Sequence, residues 1–155
     1  MNYRVKRILP LVGMLLLCGY AGFAVIRSGN KVQKVKQDLP SSVSDLAAAK
    51  LVEIKDATGQ LILSGSFIAE NKQGGDIEGK ALLTGTGINA AAKGEAEFEV
   101  SRNRHGGTET ELEVSVRKLT PSTSFILFID GRQVATFSTN MRGAAELEMK
   151  DVPTK

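Results

Sequence analysis

The chain has 155 residues, a formal net charge of +3, one cysteine, one histidine and no tryptophan. The positive charge is concentrated near the N-terminus, because from Ser41 onward thirteen Lys and Arg residues face sixteen Asp and Glu residues, a net charge of −3. This mildly acidic remainder has neither the basic stripe nor the aromatic platform of a nucleic-acid-binding protein, so no nucleic-acid partner is expected.

The N-terminal segment has the composition of a membrane-targeting sequence. Arg4, Lys6 and Arg7 precede nineteen uncharged, mostly apolar residues at 8–26. As a helix, these residues would span roughly 28 Å, close to the hydrocarbon thickness of a bilayer. Residues 1–27 are therefore predicted to form a signal peptide or a signal-anchor helix, with the rest of the chain outside the cytoplasm.

Three fates of this segment are open. An uncleaved helix would anchor the protein in the membrane through residues 8–26. Pairs of small residues, such as Gly19 and Ala21, offer cleavage sites whose use would release a secreted domain. The stretch 15–19 also resembles a bacterial lipobox, which implies lipidation of Cys18, although Leu17 stands where that motif has a small residue.

Cysteine usage points to a bacterial cell envelope. Because Cys18 is the only cysteine, the exported domain has no disulfide and depends on core burial alone. Small extracellular domains of animal proteins are often stabilised by disulfides. This chain also lacks any Asn-X-Ser/Thr sequon. The predicted location is extracytoplasmic: anchored at the cell membrane, in the periplasm or on the cell surface, or secreted.

Beyond the leader, the chain divides into a short linker and one domain. Residues 28–42 are polar and predict a linker between the membrane and the domain. Residues 43–155 predict a β domain with a short leading helix that ends near Ala49. From Leu51 onward, apolar residues recur at every second position, which is typical of strands with one buried and one solvated face.

The fold class predicted from this alternation is all-β. About seven to eight short strands, separated by turn residues and without a long helix, predict an antiparallel β-sandwich behind the N-terminal membrane-targeting helix. The pair Asp130-Gly131 gives the strongest hairpin signal, since this dipeptide suits a two-residue type I′ turn. Such a turn would place Leu127 opposite Val134.

One motif suggests a family. The sequence LTPSTSF at 119–125 resembles the Leu-x-Pro-x-Thr-x-Tyr stretch of fibronectin type III domains. In that family the tyrosine begins a corner in which its hydroxyl bonds to the backbone, whereas Phe125 supplies only the ring. The resemblance covers seven residues and implies an immunoglobulin-like sandwich that serves as a binding or spacer module.

Catalytic, metal-binding and cofactor-binding patterns are not found in the sequence. His105 is the only histidine, and it lies with Arg104 in a predicted turn, where both residues are candidates for a loop contact with a partner. No nucleophile elbow and no phosphate-binding loop with its lysine are present. The protein is therefore predicted not to be an enzyme, and no cofactor or metal is expected.

Four carboxylates form the remaining candidate site. If strands 94–101 and 109–117 pair through the turn between them, four glutamates share one outer face: Glu97, Glu99, Glu111 and Glu113. Like charges on the two strands would then lie close to one another. Opposed like charges are mildly unfavourable, so a basic partner or neighbouring cations should compensate them. The alternative is a wet face that only keeps the protein soluble.

Together these features predict a non-enzymatic interaction or structural module of the bacterial cell envelope, tethered or secreted, with a protein partner. The alternative is a small-ligand carrier or an enzyme accessory, and a hydrolase is the least favoured function because few titratable groups converge.

Overall fold

The computed structural model describes residues 32, 34–43, 45–72, 74–102 and 107–151. The predicted leader at 1–27, with its membrane segment and Cys18, lies outside these residues. Arg104 and His105 lie outside them as well. Among the described residues, no helix has the length and apolar character needed to cross a membrane.

The described residues form an all-β fold, which confirms the predicted class. Two single turns of 3-10 helix, Ser41–Val43 and Leu46–Ala48, are the helical elements of this part of the chain. The ten strands are β1 (Lys34–Asp38), β2 (Leu51–Asp56), β3 (Leu61–Ser66), β4 (Ile68–Asn71), β5 (Ile77–Gly85), β6 (Lys93–Arg102), β7 (Thr108–Arg117), β8 (Ser124–Ile129), β9 (Arg132–Ser138) and β10 (Ala145–Lys150).

All ten strands belong to one curled, half-barrel sheet, where the sequence predicted a sandwich of seven to eight strands. The strand order is β1-β10-β7-β6-β5-β3-β2-β8-β9, and β4 pairs with β5. Every pairing is antiparallel except that of β1 with β10. Strands β3 and β4 both pair with β5, one after the other and in the same register, with Ser64 opposite Thr84 and Ile68 opposite Lys80. The sheet is therefore continuous at this point.

The core lies on one face of this curled sheet. Alternating side chains from every strand from β5 to β8 and from β10 point into it, as the period of two predicts. Phe125 and Phe137 pack there with ring centroids 6.0 Å apart, so the aromatic residue of the 119–125 motif is a core residue. The largest fully buried side chains are Phe125, Leu46, Ile54, Leu63, Leu83, Leu112, Leu127, Leu147, Met149, Val52 and Val114.

The connection before β2 differs from its prediction in two ways. The segment predicted as a linker contains β1, which lies at the edge of the sheet beside β10. The predicted leading helix is replaced by the two 3-10 turns, and Asp45 makes no side-chain cap to the second of them. A segment this short gains too few hydrogen bonds to form a helix alone, and its conformation follows instead from burying Val43 and Leu46.

The predicted Asp-Gly hairpin is present, but its register is shifted. Asp130 and Gly131 have φ values of 48° and 77°, as a type I′ turn requires. Leu127 pairs with Ala135 across an irregularity, so the predicted pairing of Leu127 with Val134 is wrong. Val134 is the extra residue of a β-bulge, which lets it and Ala135 both reach the core.

Candidate functional site

The four glutamates singled out in the sequence lie on one face of the sheet. Strands β6 and β7 form an antiparallel pair in which Glu97 is directly opposite Glu113 and Glu99 is directly opposite Glu111. The alternating residues of both strands point into the core, so the four carboxylates point outward. The hairpin thus brings together the residues that the sequence proposed as a partner-facing surface.

This outer surface extends over six strands, and we call it the acidic face. It comprises the outward side chains of β4, β5, β6, β7, β10 and β1 together with Lys72 after β4, and its net charge is −4 from eleven carboxylates and seven cations. The carboxylates are Asp38, Glu70, Glu78, Glu95, Glu97, Glu99, Glu109, Glu111, Glu113, Glu146 and Glu148, and the cations are Lys34, Lys36, Lys72, Lys80, Lys93, Arg117 and Lys150.

One row of the face crosses five strands and ends in a lysine on each side. Register pairs place its members opposite one another in the order Lys80, Glu97, Glu113, Glu148 and Lys36. Three consecutive carboxylates at the spacing of neighbouring strands would repel one another. The lysines at the two ends, together with one from the next row, supply the compensating charge.

Lys34 compensates the β1 side of this row. Its Nζ lies 2.5 Å from Glu113 Oε1 and 3.0 Å from Glu148 Oε2. Hydrogen bonds to Glu113 and Glu148 raise the pKa of Lys34 above its usual value. The hydrogen bond from Lys34 in turn lowers the pKa of Glu148, whose side chain is only 8% exposed. Edge strand β1 is therefore held to the sheet by charge as well as by its backbone ladder.

Lys80 compensates the β5 side. Its ammonium group bonds to both Glu95 and Glu97 on β6. These hydrogen bonds raise the pKa of Lys80, and the bond from Lys80 is the main cause of a lowered pKa at Glu95. Both carboxylates remain partly exposed, so solvent screens these pairs and their contribution to stability is small.

The next row contains a carboxylate without a cation. Glu99 lies opposite Glu78 on one side and opposite Glu111 on the other. Lys72 binds Glu78 at 3.0 Å, and Lys150 binds Glu111 at 3.1 Å. Among the described residues, Glu99 itself forms no ion pair. Glu99 is therefore an exposed carboxylate whose cross-strand neighbours on both sides are also carboxylates.

Three carboxylates of the face also lie close enough together to hold a cation. Oxygens of Glu111, Glu113 and Glu148 lie within 4.8 Å of one another. Three lysines already contact this group: Lys34 bonds to Glu113 and Glu148, Lys36 lies 3.4 Å from Glu148, and Lys150 lies 3.1 Å from Glu111. Internal ammonium groups therefore account for the clustering of these carboxylates.

Apolar side chains lie beside the carboxylates on the acidic face. Ile68 of β4 is 72% exposed and Leu82 of β5 is 68% exposed. Both line an open depression of about 850 Å³ whose wall includes Glu97, Glu99 and Glu111. Apolar residues within a negative surface suit a partner that is both basic and apolar.

The sequence identified only part of this face. The pattern AELEMK of β10 has the same alternation as β6 and was a signal for Glu146 and Glu148. No periodic signal marks Lys34 and Lys36, because β1 lies in a polar stretch and is mostly exposed.

Comparison with protein-family models, with curated proteins and with solved structures finds no match to this chain. The function is therefore argued from the geometry of the acidic face.

Proposed function

We propose that this chain is a non-enzymatic binding module of the bacterial cell envelope, anchored outside the cytoplasm through residues 8–26, whose acidic face binds a basic protein partner. Glu99 is the observation that carries the proposal. It is exposed, lies between two carboxylates in register, and forms no ion pair among the described residues. A cationic group from a partner would remove an unfavourable arrangement that the fold itself leaves uncompensated.

The apolar residues of the face define the partner further. Ile68 of β4 lies directly opposite Lys80, and Leu82 is the next outward residue after Lys80 on β5, opposite Glu95. A segment that alternates basic and apolar residues presents both kinds of side chain to such a surface. Charge complementarity raises the association rate, and burial of the two apolar side chains slows dissociation.

For the fold, we propose that the chain is a relative of immunoglobulin-like domains. The support is the 119–125 motif, whose Phe125 is buried against Phe137, and the curling of the all-β sheet around a single core. Domains of this kind commonly serve binding and spacing roles, which agrees with the proposed function.

The alternative function, a small-ligand carrier or enzyme accessory, is less well supported. An apolar carrier buries its ligand in a pocket lined mainly by hydrophobic side chains. The depression on the acidic face is open and has charged walls, including Glu70, Lys72 and Glu78. These walls suit an extended cationic segment better than a small apolar ligand.

A peptide titration tests the proposed function. The full-length protein in nanodiscs of zwitterionic lipid is titrated with a peptide of alternating Lys and Val, and empty nanodiscs serve as the blank. We expect Glu99→Lys to weaken binding about tenfold and added salt to weaken the wild type. Asp45→Lys is the control, because it makes the same charge change in the connection between β1 and β2. Equal affinities of wild type and Glu99→Lys at low salt would contradict the proposal.

A further inference from the structure

A second surface lies at the end of the sheet where β1 begins. Because β1 and β10 are parallel and the strands from β10 to β5 alternate in direction, the connections 86–92, 118–123 and 139–144 all lie at this end. We call these connections, with the strand ends beside them, the basal end. The acidic face runs along the side of the sheet and meets the basal end at Lys93 and Arg117, the residues at which β6 begins and β7 ends.

Hydrogen bonds join the basal connections into one surface. The Asn89 Nδ2 group donates to the carbonyl oxygen of Lys118 at 3.1 Å, which ties 86–92 to 118–123. The backbone N–H of Leu119 donates to the carbonyl oxygen of Gly143 at 3.0 Å. Gly143 has a φ of +69°, and a Cβ there would lie 1.9 Å from the Leu119 carbonyl oxygen, so only glycine permits this contact.

The basal end combines cations with exposed apolar side chains. Ile88 is 63% exposed and Met141 is 77% exposed. Four exposed cations lie at the same end, and none of them belongs to an ion pair among the described residues: Lys93, Arg117, Lys118 and Arg142. Three carboxylates lie at or beside this end as well: Asp56, which accepts hydrogen bonds from Thr58 and Gln60, Glu95, which is bonded to Lys80, and Glu146. Apolar side chains among cations are typical of surfaces that bind anionic membranes.

The chain upstream of β1 brings this end close to the predicted membrane segment. That segment ends at Ile26 and β1 begins at Lys34, with seven residues between them. Fully extended, seven residues reach roughly 25 Å. Strand β6 has ten residues, about 34 Å in length, so the opposite end of the sheet lies farther from the anchor.

We propose that the basal end rests on the surface of the membrane that holds residues 8–26, with Ile88 and Met141 among the lipid headgroups and the four cations on anionic lipid. The proposal rests on the anchored arrangement given under the proposed function. It adds an orientation: repulsion between the acidic face and anionic lipid keeps that face turned away from the membrane and open to a partner.

Fluorescence quenching in nanodiscs tests this orientation. Full-length protein carrying Cys18→Ser receives one cysteine, at Ile88→Cys or at Ile68→Cys, and each is labelled with the fluorophore NBD. Residue 68 is the matched control, because it is an isoleucine of similar exposure on the acidic face. In discs of phosphatidylcholine with 30% phosphatidylglycerol and a shallow spin-labelled lipid, we expect quenching at position 88 to exceed that at position 68 at least threefold.

The role of the cations is tested on the same labels. Lys93→Glu with Arg142→Glu, or discs of phosphatidylcholine alone, should reduce quenching at position 88 by at least half. If the protein does not co-elute with the discs, the anchor and this inference both fail. If it co-elutes but positions 88 and 68 are quenched equally, only the orientation fails. Quenching at position 88 that is unchanged by charge reversal and by neutral lipid would overturn the binding of anionic lipid.

Discussion

Glu99 and Glu111 lie directly opposite each other on β6 and β7, yet only Glu111 is bonded to a lysine. Lys150 lies 3.1 Å from Glu111, and Glu99 has Glu78 as its other neighbour. The face is thus compensated unevenly: Glu95, Glu97, Glu113 and Glu148 are bonded to Lys80 or Lys34, whereas Glu99, in the middle of the second row, has no ion pair among the described residues and is flanked by carboxylates. This asymmetry distinguishes a candidate binding surface from a uniformly neutralised wet face.

Replacing Glu99 with lysine should therefore stabilise the free protein. A lysine at position 99 would lie between Glu78 and Glu111 and convert two repulsive pairs into attractive ones, which is worth about 0.5–1 kcal/mol. Urea unfolding of Glu99→Lys against wild type measures the gain. Glu97→Lys is the control, since it removes the partner of Lys80 and should give no gain. A lower stability of Glu99→Lys would contradict this account, and its weaker peptide binding is expected in spite of greater stability.

Acidification should weaken the attachment of β1. The hydrogen bond from Lys34 lowers the pKa of Glu148 in the folded state. A lowered folded pKa gives stability that is fully present above the unfolded pKa of about 4.3 and is lost as the pH falls through the folded value. The difference in unfolding free energy between wild type and Glu148→Gln should therefore shrink from pH 6 toward pH 2. A constant difference over this range would show that ionisation of Glu148 contributes nothing.

Gly79 should not tolerate a side chain. A Cβ at this position would lie 2.0 Å from Cε1 of Phe98, whose buried ring packs edge-on against Phe67 at 5.1 Å between centroids. Gly79→Ala should displace the ring and cost about 1–3 kcal/mol of unfolding free energy. Gly87→Ala is the control, because a Cβ there meets nothing within 4 Å. Thermal unfolding measures both variants, and equal melting temperatures would refute the close packing at Gly79.

Asp130 should stabilise the fold through hydrogen bonds beyond its own hairpin. Its Oδ1 accepts the backbone N–H of Leu51 at 2.8 Å and that of Lys50 at 3.2 Å, which ties the β8–β9 turn to the start of β2. Asp130→Ala should lower the unfolding free energy by about 1–2 kcal/mol, since these groups lose their acceptor. Asp130→Asn keeps an acceptor oxygen and tolerates the positive φ, so it should lose less. Equal losses in denaturant titrations would argue against the hydrogen bonds.

Alternation in the sequence determined the local features of this protein. A period of two predicts strands β6 and β7, and the short connection between them favours their antiparallel pairing, which puts Glu97, Glu99, Glu111 and Glu113 on one outer face. The shared face was predicted, whereas the register that sets Glu97 opposite Glu113 and Glu99 opposite Glu111 is seen only in the structure. The positive φ at Asp130 likewise follows from the Asp-Gly pair, whereas the bulge that shifts Leu127 depends on packing in the core.

Only the tertiary structure decided which distant segments meet. Lys36 bonds to Glu148 across 112 residues, and Lys34 bonds to Glu113 across 79. These contacts exist because β1 adds in parallel to β10, and polar residues at a sheet edge carry no periodic signal that names their neighbour. The order of the strands also gathers Ile88 and Met141 at one end of a single curled sheet. Alternation specifies which face of a strand is buried, but the neighbour of each strand is selected by how the whole core packs.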